Sequence, residues 1–305
     1  MNINFNPRIY LPQATNIRPD KSLNFIKDSI SFSGNTAPKS ENETEAEEFG
    51  LNLYALMQNG NLTLRTIEEQ GRRNIPILKV DKISNLKKLI GSFAGIYTAY
   101  TLPEYNSNCR LKKLTLFAPD EIKEPKNIGS VAHEYTHCLQ RYKSGSYLGL
   151  EKYTNGDLLQ TRALNSISAA VFSNLETALR NSEIIARADI SDTDNAKNKE
   201  AVYRAYGCKN GEEYRRLNKR AFNEFYDFEL AKVMHSREIR AHLPLINSPL
   251  QLKRIIREQC RLRADLEKEA YQVQKNVIRK IDPSLVTNEN KFNPIFYGLL
   301  SDSLS

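Results

Sequence analysis

The chain has 305 residues, 40 % of them hydrophobic and 26 % charged, a balance that supports a buried globular core. Its longest apolar stretch, Ile90 to Leu102, is interrupted by Ser, Gly, Thr and Tyr and falls short of the ~20 apolar residues of a membrane span, so no integral membrane protein is expected. The net charge of +8 has no RNA- or DNA-binding signature beside it, so it reads as a basic surface rather than a nucleic-acid site.

Residues 1–46 read as a weakly ordered tail. They are rich in Asn, Ser, Pro and Thr and end in the acidic run SENETEAEE. No basic segment followed by an apolar core opens the chain, so no classical signal peptide is expected; the chain is cytoplasmic or leaves by a non-classical route. Glu48 to Gln58 predicts a short helix, Ile75 to Val80 a strand, and Asp81 to Phe93 a helix with Ile83, Leu86 and Leu89 at helical spacing. Gly95 to Leu102 and Leu111 to Phe117 are β-branched and aromatic and are separated by turn formers, which predicts an antiparallel pair.

From 126 onward the pattern is helical. Ile128 to Tyr142, Asp157 to Ala188 and Glu212 to Leu243 each predict a helix. Ser248 and Pro249 open another, which Asp282-Pro283 stops after Ile281. Residues 284–305 form a C-terminal extension without a clear pattern, and its FNPIFY repeats the FNPRIY near the start, with Asn-Pro favouring a turn. The expected fold is therefore α+β. A small strand-bearing lobe (47–125) precedes a larger helical lobe (126–283) within one domain. The four cysteines, Cys109, Cys138, Cys208 and Cys260, are scattered without a CxxC pair, which fits a reducing compartment.

Residues 133–137 read His-Glu-Tyr-Thr-His. On a helix, residues four apart share a face, so His133 and His137 present two imidazoles to one metal ion. Glu134 is rotated ~100° from His133 and reaches a water on that metal. Zinc with an open position lowers the pKa of such a water toward ~7, and Glu134 then serves as general base. The motif sits among uncharged residues, as a buried active-site helix requires.

The segment GSVAHEYTHCLQ (Gly129 to Gln140), with strands before it and helices after it, resembles the zincin metallopeptidases. Gln140 stands where the metzincin pattern needs Gly, and no third His follows, so the resemblance is to the gluzincin type in its HExxHxxQ form. That resemblance implies a zincin-like fold, one Zn2+ per chain, a protein or peptide substrate, and a third zinc ligand from a Glu on a later helix. Two segments fit: Glu238 in EIRAH and Glu267 in EKEAY, with Glu269 a weaker choice. Glu238 is preferred. It lies near Leu230, Met234 and Ala241 and between His235 and His242, whereas Glu267 falls to the side of the apparent stripe Leu262, Leu266, Val273. His235, His242 and Tyr271 are candidates for oxyanion or supporting roles. Tyr135, Tyr142, Tyr147 and Cys138 read as packing residues. The leading expectation is a zinc-dependent peptidase. The alternatives are a catalytically silent zincin-like binding domain, and a basic helical nucleic-acid or scaffold protein with an accidental HExxH.

Overall fold

The computed structural model describes residues 39–90, 98–181 and 248–305, with individual positions between 209 and 231. The described residues fall into two compact units. One holds the sheet, the HExxH helix and the C-terminal helices (39–165 and 248–305). The other holds 166–181 and the described positions of 209–231, among which Tyr226 and Leu230 are buried.

The larger unit begins with α1 (Glu41–Gln58) and α2 (Leu64–Gly71). The acidic run expected to be tail is the first turn of α1. Ser40 caps it, accepting from the Glu43 backbone N–H while Glu43 reaches back to the Ser40 N–H. Acidic side chains at a helix N-terminus complement its dipole, and Ala46, Phe49 and Leu53 then supply a buried face. Order therefore starts earlier than composition suggests.

Strand β1 (Leu78–Lys82), helix α3 (Ile83–Ile90), β2 (Tyr100–Tyr105) and β3 (Leu111–Ala118) follow. The sheet order is β1-β3-β2, with β2 antiparallel and β1 parallel to the central β3. The expected antiparallel pair is present, but it sits further along the chain than predicted. Tyr100 pairs with Phe117 and Glu104 with Lys113, so Pro103 is strand and the turn lies at 106–110. Asn106 makes that turn. Its Oδ1 accepts from the N–H groups of Asn108 and Arg110, while Cys109 takes a positive φ of 59°.

β3 is buried on both faces. Leu114, Leu116 and Ala118 join the core under the HExxH helix, whereas Phe117 packs with Ile83 and Leu86 of α3. That alternation is the strand period of two.

Helix α4 (Pro125–Ser144) carries HExxH. Pro125 opens it, and Gly145 closes it at φ 65° with its N–H on the Arg141 carbonyl. α5 spans Leu158–Asn181, and α6 spans Pro249–Ile281, as the Ser248-Pro249 and Asp282-Pro283 signals predict. The C-terminal extension is ordered as α7 (Asn288–Leu304), capped by Thr287. Phe296, Tyr297, Leu300 and Leu304 are buried, and the Asn-Pro of FNPIFY lies inside this helix rather than in a turn. Tertiary packing of one apolar face overrides the local turn preference.

Two glycines set how closely the helices approach. A Cβ at Gly129 of α4 would meet Ile278 of α6 at 2.7 Å, and one at Gly50 of α1 would meet Val277 at 2.9 Å and Ala132 at 3.0 Å. Gly129→Ala gains up to ~1 kcal/mol of helix propensity but overpacks by ~1–3 kcal/mol, so net destabilisation is expected. Urea unfolding should show that loss in the wild-type background and none of it on an Ile278→Ala background, where the clash is gone.

Candidate metal centre

α4 and α6 run antiparallel, and their residues meet in regular steps. Gly129 lies against Ile278, the His133 ring against Tyr271 (centroids 4.4 Å apart), and His137 against Glu267. On α4 the steps are one turn apart (129, 133, 137); on α6 Ile278 and Gln274 both lie against Gly129, and Tyr271 and Glu267 follow at about one-turn intervals.

The central step forms the site. The Nε2 atoms of His133 and His137 are 3.2 Å apart. One Glu267 oxygen lies 3.6 Å from His133 Nε2 and the other 3.5 Å from His137 Nε2. Among the described residues this is the group of His, Cys, Asp and Glu side chains that could hold a metal ion. Donors bound at ~2.0–2.1 Å in a tetrahedron stand ~3.3–3.4 Å from one another, so the spacing fits a metal of that size.

Glu267 is on the inward face of α6. Its neighbours one turn either way, Ala264 and Ala270, are fully buried, whereas Leu262 and Leu266 are only half-buried. The apparent stripe misleads because the true inward face carries small and polar residues where two helices meet. The Ala of EKEAY is such a residue. The preferred ligand Glu238, with His235 and His242, lies outside the described residues.

Gln140 fixes the orientation of His137. The Gln140 Nε2 donates to the Leu266 carbonyl (3.0 Å) and to Glu269 (2.7 Å). Both are acceptors, so the amide can present only its oxygen to His137, where Nδ1–H donates to it at 2.8 Å. The His137 Nε2 is thereby turned to the centre. Ser40, the cap of α1, donates to the other Glu269 oxygen. Glu269 thus supports Gln140 and does not face the imidazoles. His133 has no such partner: its Nδ1 is buried and unpaired, and the ring is held by packing against Tyr271, which stacks on Tyr297.

Glu134 is half-buried beside His137, and its carboxylate makes no hydrogen bond among the described residues. Its carbonyl accepts from Thr101 of β2 at 2.7 Å, which anchors the motif helix to the sheet edge. Tyr135 is buried on Phe49, with its hydroxyl donating to the Gly71 carbonyl. Tyr147 stacks on Tyr105, and Tyr142 is partly exposed. Cys109, Cys138 and Cys260 are buried and form no disulfide among the described residues; burial pushes Cys138 up to about 12. Gln140, Ser40, Arg141 and Arg263 have no role in the sequence-based site. Only Gln140, three residues after His137 on the same helical face, carried a local signal.

Burial favours neutral His137, but the Glu267 charge and hydrogen bond outweigh it and raise the imidazole to about 9. Burial likewise opposes the Glu267 charge, and the two histidines overcome it and lower that carboxyl. No described helix is long and apolar enough to cross a membrane. Compared with models of known families, with curated proteins and with solved structures, the chain has no match.

Without metal, the His137–Glu267 pair stabilises the fold fully between the ordinary values of 4.5 and 6.5. The carboxylate's share is lost as pH falls below that window. The imidazole's share is lost as pH rises through about 9. Thermal melting of the metal-free chain should therefore fall between pH 6.5 and 9, and Glu267→Gln should remove that slope. Metal uptake displaces the His137 proton, so affinity should rise about tenfold per pH unit toward that upper value. A pH-independent affinity would contradict the assignment.

Gln140→Met should weaken metal binding about 10–100-fold while leaving the melting point of the metal-free chain close to wild type, as chelator competition and calorimetry would report.

Proposed function

We propose that the chain is a zinc-dependent peptidase in which His133, His137 and Glu267 hold the metal and Glu134 is the general base. The observation that carries this reading is the convergence of a His, His, Glu donor set from two helices, with an unbonded carboxylate one residue from the first ligand. Two neutral imidazoles and one carboxylate are the donor set of catalytic zinc with an open position.

When bound, the metal polarises a carbonyl and lowers the pKa of a water. The chain's own groups do the rest. Gln140 keeps the His137 Nδ1 protonated and its Nε2 turned to the centre. The Glu134 carboxylate, free of hydrogen bonds, accepts a proton from the water as it attacks the peptide carbonyl. Glu134 then gives that proton to the leaving nitrogen as the C–N bond breaks. Tyr135, Leu139 and Val131 bury another face of α4 in the core shared with Leu114 and Leu116 of the sheet.

Elemental analysis after zinc readdition should find about one zinc per chain. Glu134→Gln should keep the metal and lose hydrolysis of a peptide library by at least about 100-fold, since general-base catalysis contributes 10²–10⁴. Glu267→Ala should collapse zinc affinity, and Glu238→Ala should not. The reverse result would move the third ligand to Glu238. Near-wild-type turnover in Glu134→Gln would overturn the general base, and zinc bound tightly without any hydrolysis would favour a silent binding domain.

A further inference from the structure

One turn beyond the His137–Glu267 step lie Arg141 on α4 and Arg263 on α6, near enough for the Arg141 charge to act on Arg263. This continues the same spacing, yet it brings two positive groups together. Arg141 Nη1 donates to the Tyr105 hydroxyl at 3.3 Å. Arg263 Nη2 donates to the Asn165 side-chain oxygen at 2.7 Å and to its carbonyl at 3.4 Å. The Arg263 Nε is buried and unpaired. Neither arginine has a carboxylate partner among the described residues. Glu267, one turn along from Arg263, faces the two histidines instead.

The wall of this place is rich in donors and poor in acceptors. Tyr105 and Tyr147 stack with centroids 3.7 Å apart. Each hydroxyl oxygen accepts from a guanidinium, Tyr105 from Arg141 and Tyr147 from Arg162 at 3.1 Å. A phenol that accepts still has its O–H to donate, and no acceptor for either O–H is present among the described residues. Burial, reinforced by Arg141, lowers the Arg263 guanidinium to about 10, although the Glu267 charge one turn along acts the other way.

We infer that Arg141 and Arg263, with the hydroxyls of Tyr105 and Tyr147, form an anion subsite that receives a carboxylate of the bound peptide. The subsite lies one helical turn, ~5.4 Å, from the metal centre, the span of one to two residues of extended chain. The carboxylate therefore belongs to the residue beside the reacting bond or the one after it. It is either the C-terminal α-carboxylate or an Asp or Glu side chain. Use of the subsite in catalysis rests on the peptidase reading; binding to it does not.

The test reads binding on the full, metal-free chain. Three probes are titrated: acetyl-Ala-Ala-Ala as the free acid, the same peptide as its amide, and acetyl-Ala-Asp-Ala amide. The readout is the Nε–H NMR signals of the arginines, assigned with Arg141→Lys and Arg263→Lys. A charge-assisted hydrogen-bonded pair should make one or both acids bind at least about tenfold tighter than the neutral amide. Preference for the free acid assigns a C-terminal carboxylate, and preference for the Asp peptide assigns a side chain. Arg141→Met and Arg263→Met should each abolish the difference. If Arg263→Met does not fold, Arg141→Met decides, because Arg141 makes one hydrogen bond, to Tyr105. Equal binding of all three probes, or a preference that survives Arg141→Met, overturns the subsite. An acid preference in the wild-type chain that Arg141→Met abolishes, together with no zinc-dependent hydrolysis, would overturn the peptidase reading and leave the subsite standing.

Discussion

The close antiparallel contact of α4 and α6 is the constraint on which the candidate site depends. Gly129 lets the helices approach until Ile278 occupies the space a Cβ would take. Gln274 lies beside Gly129 too, and from there the α6 residues follow at about one-turn intervals. This register places Tyr271 on His133, Glu267 on His137, and Arg263 within reach of the Arg141 charge. Side chains on facing helices can meet in three successive steps only if the axes stay close over that length. A larger residue at 129 would act on the metal centre through distance, not chemistry.

The first helix holds this pair from a third side. Glu47 of α1 is a buried carboxylate held by Lys39, Lys280 and the Asn276 amide of α6, at 2.7, 2.6 and 2.8 Å. Burial opposes its charge, and these three donors outweigh it and lower the carboxyl. A short path then runs from the cap of α1 to the site: Ser40 donates to Glu269, Glu269 accepts from Gln140, and Gln140 accepts from His137. The acidic segment before α1 therefore bears on ligand orientation. Each link has a defined donor and acceptor, so the His137 tautomer follows from the network.

Much of this was legible in the sequence where a signal is local. HExxH at helical spacing, the Ser-Pro start and Asp-Pro stop of α6, and the strand pair all depend on residues within one element. The inward position of Glu267 was legible only as an alternative, from the EKEAY segment, because an inward face can be polar where its partner helix is polar. Apolar periodicity over Leu262, Leu266 and Val273 pointed elsewhere, whereas burial of Ala264 and Ala270 brackets Glu267. The order of 284–305 and of the first turn of α1 was hidden for a related reason. Phe296 and Tyr297 find their apolar partners through tertiary packing, and Ser40 finds Glu269 far along the chain.

Glu267 stands between two cationic neighbourhoods on α6, and its charge acts on both. At i+4 from Arg263 it could have formed an ordinary helical ion pair. Instead its oxygens lie 3.5 and 3.6 Å from the imidazoles, and Arg263 turns to the neutral Asn165. Histidine protonation satisfies the carboxylate without metal, so the centre is stable in either state. The arginines gain nothing from that exchange. Their positive potential acts in a partly buried place where screening by salt is weak. An anion bound there would in turn favour positive charge at the neighbouring centre, and by linkage each site would strengthen the other. The register that aligns Glu267 with the histidines thus leaves Arg141 and Arg263 as the part of the pair still short of a partner.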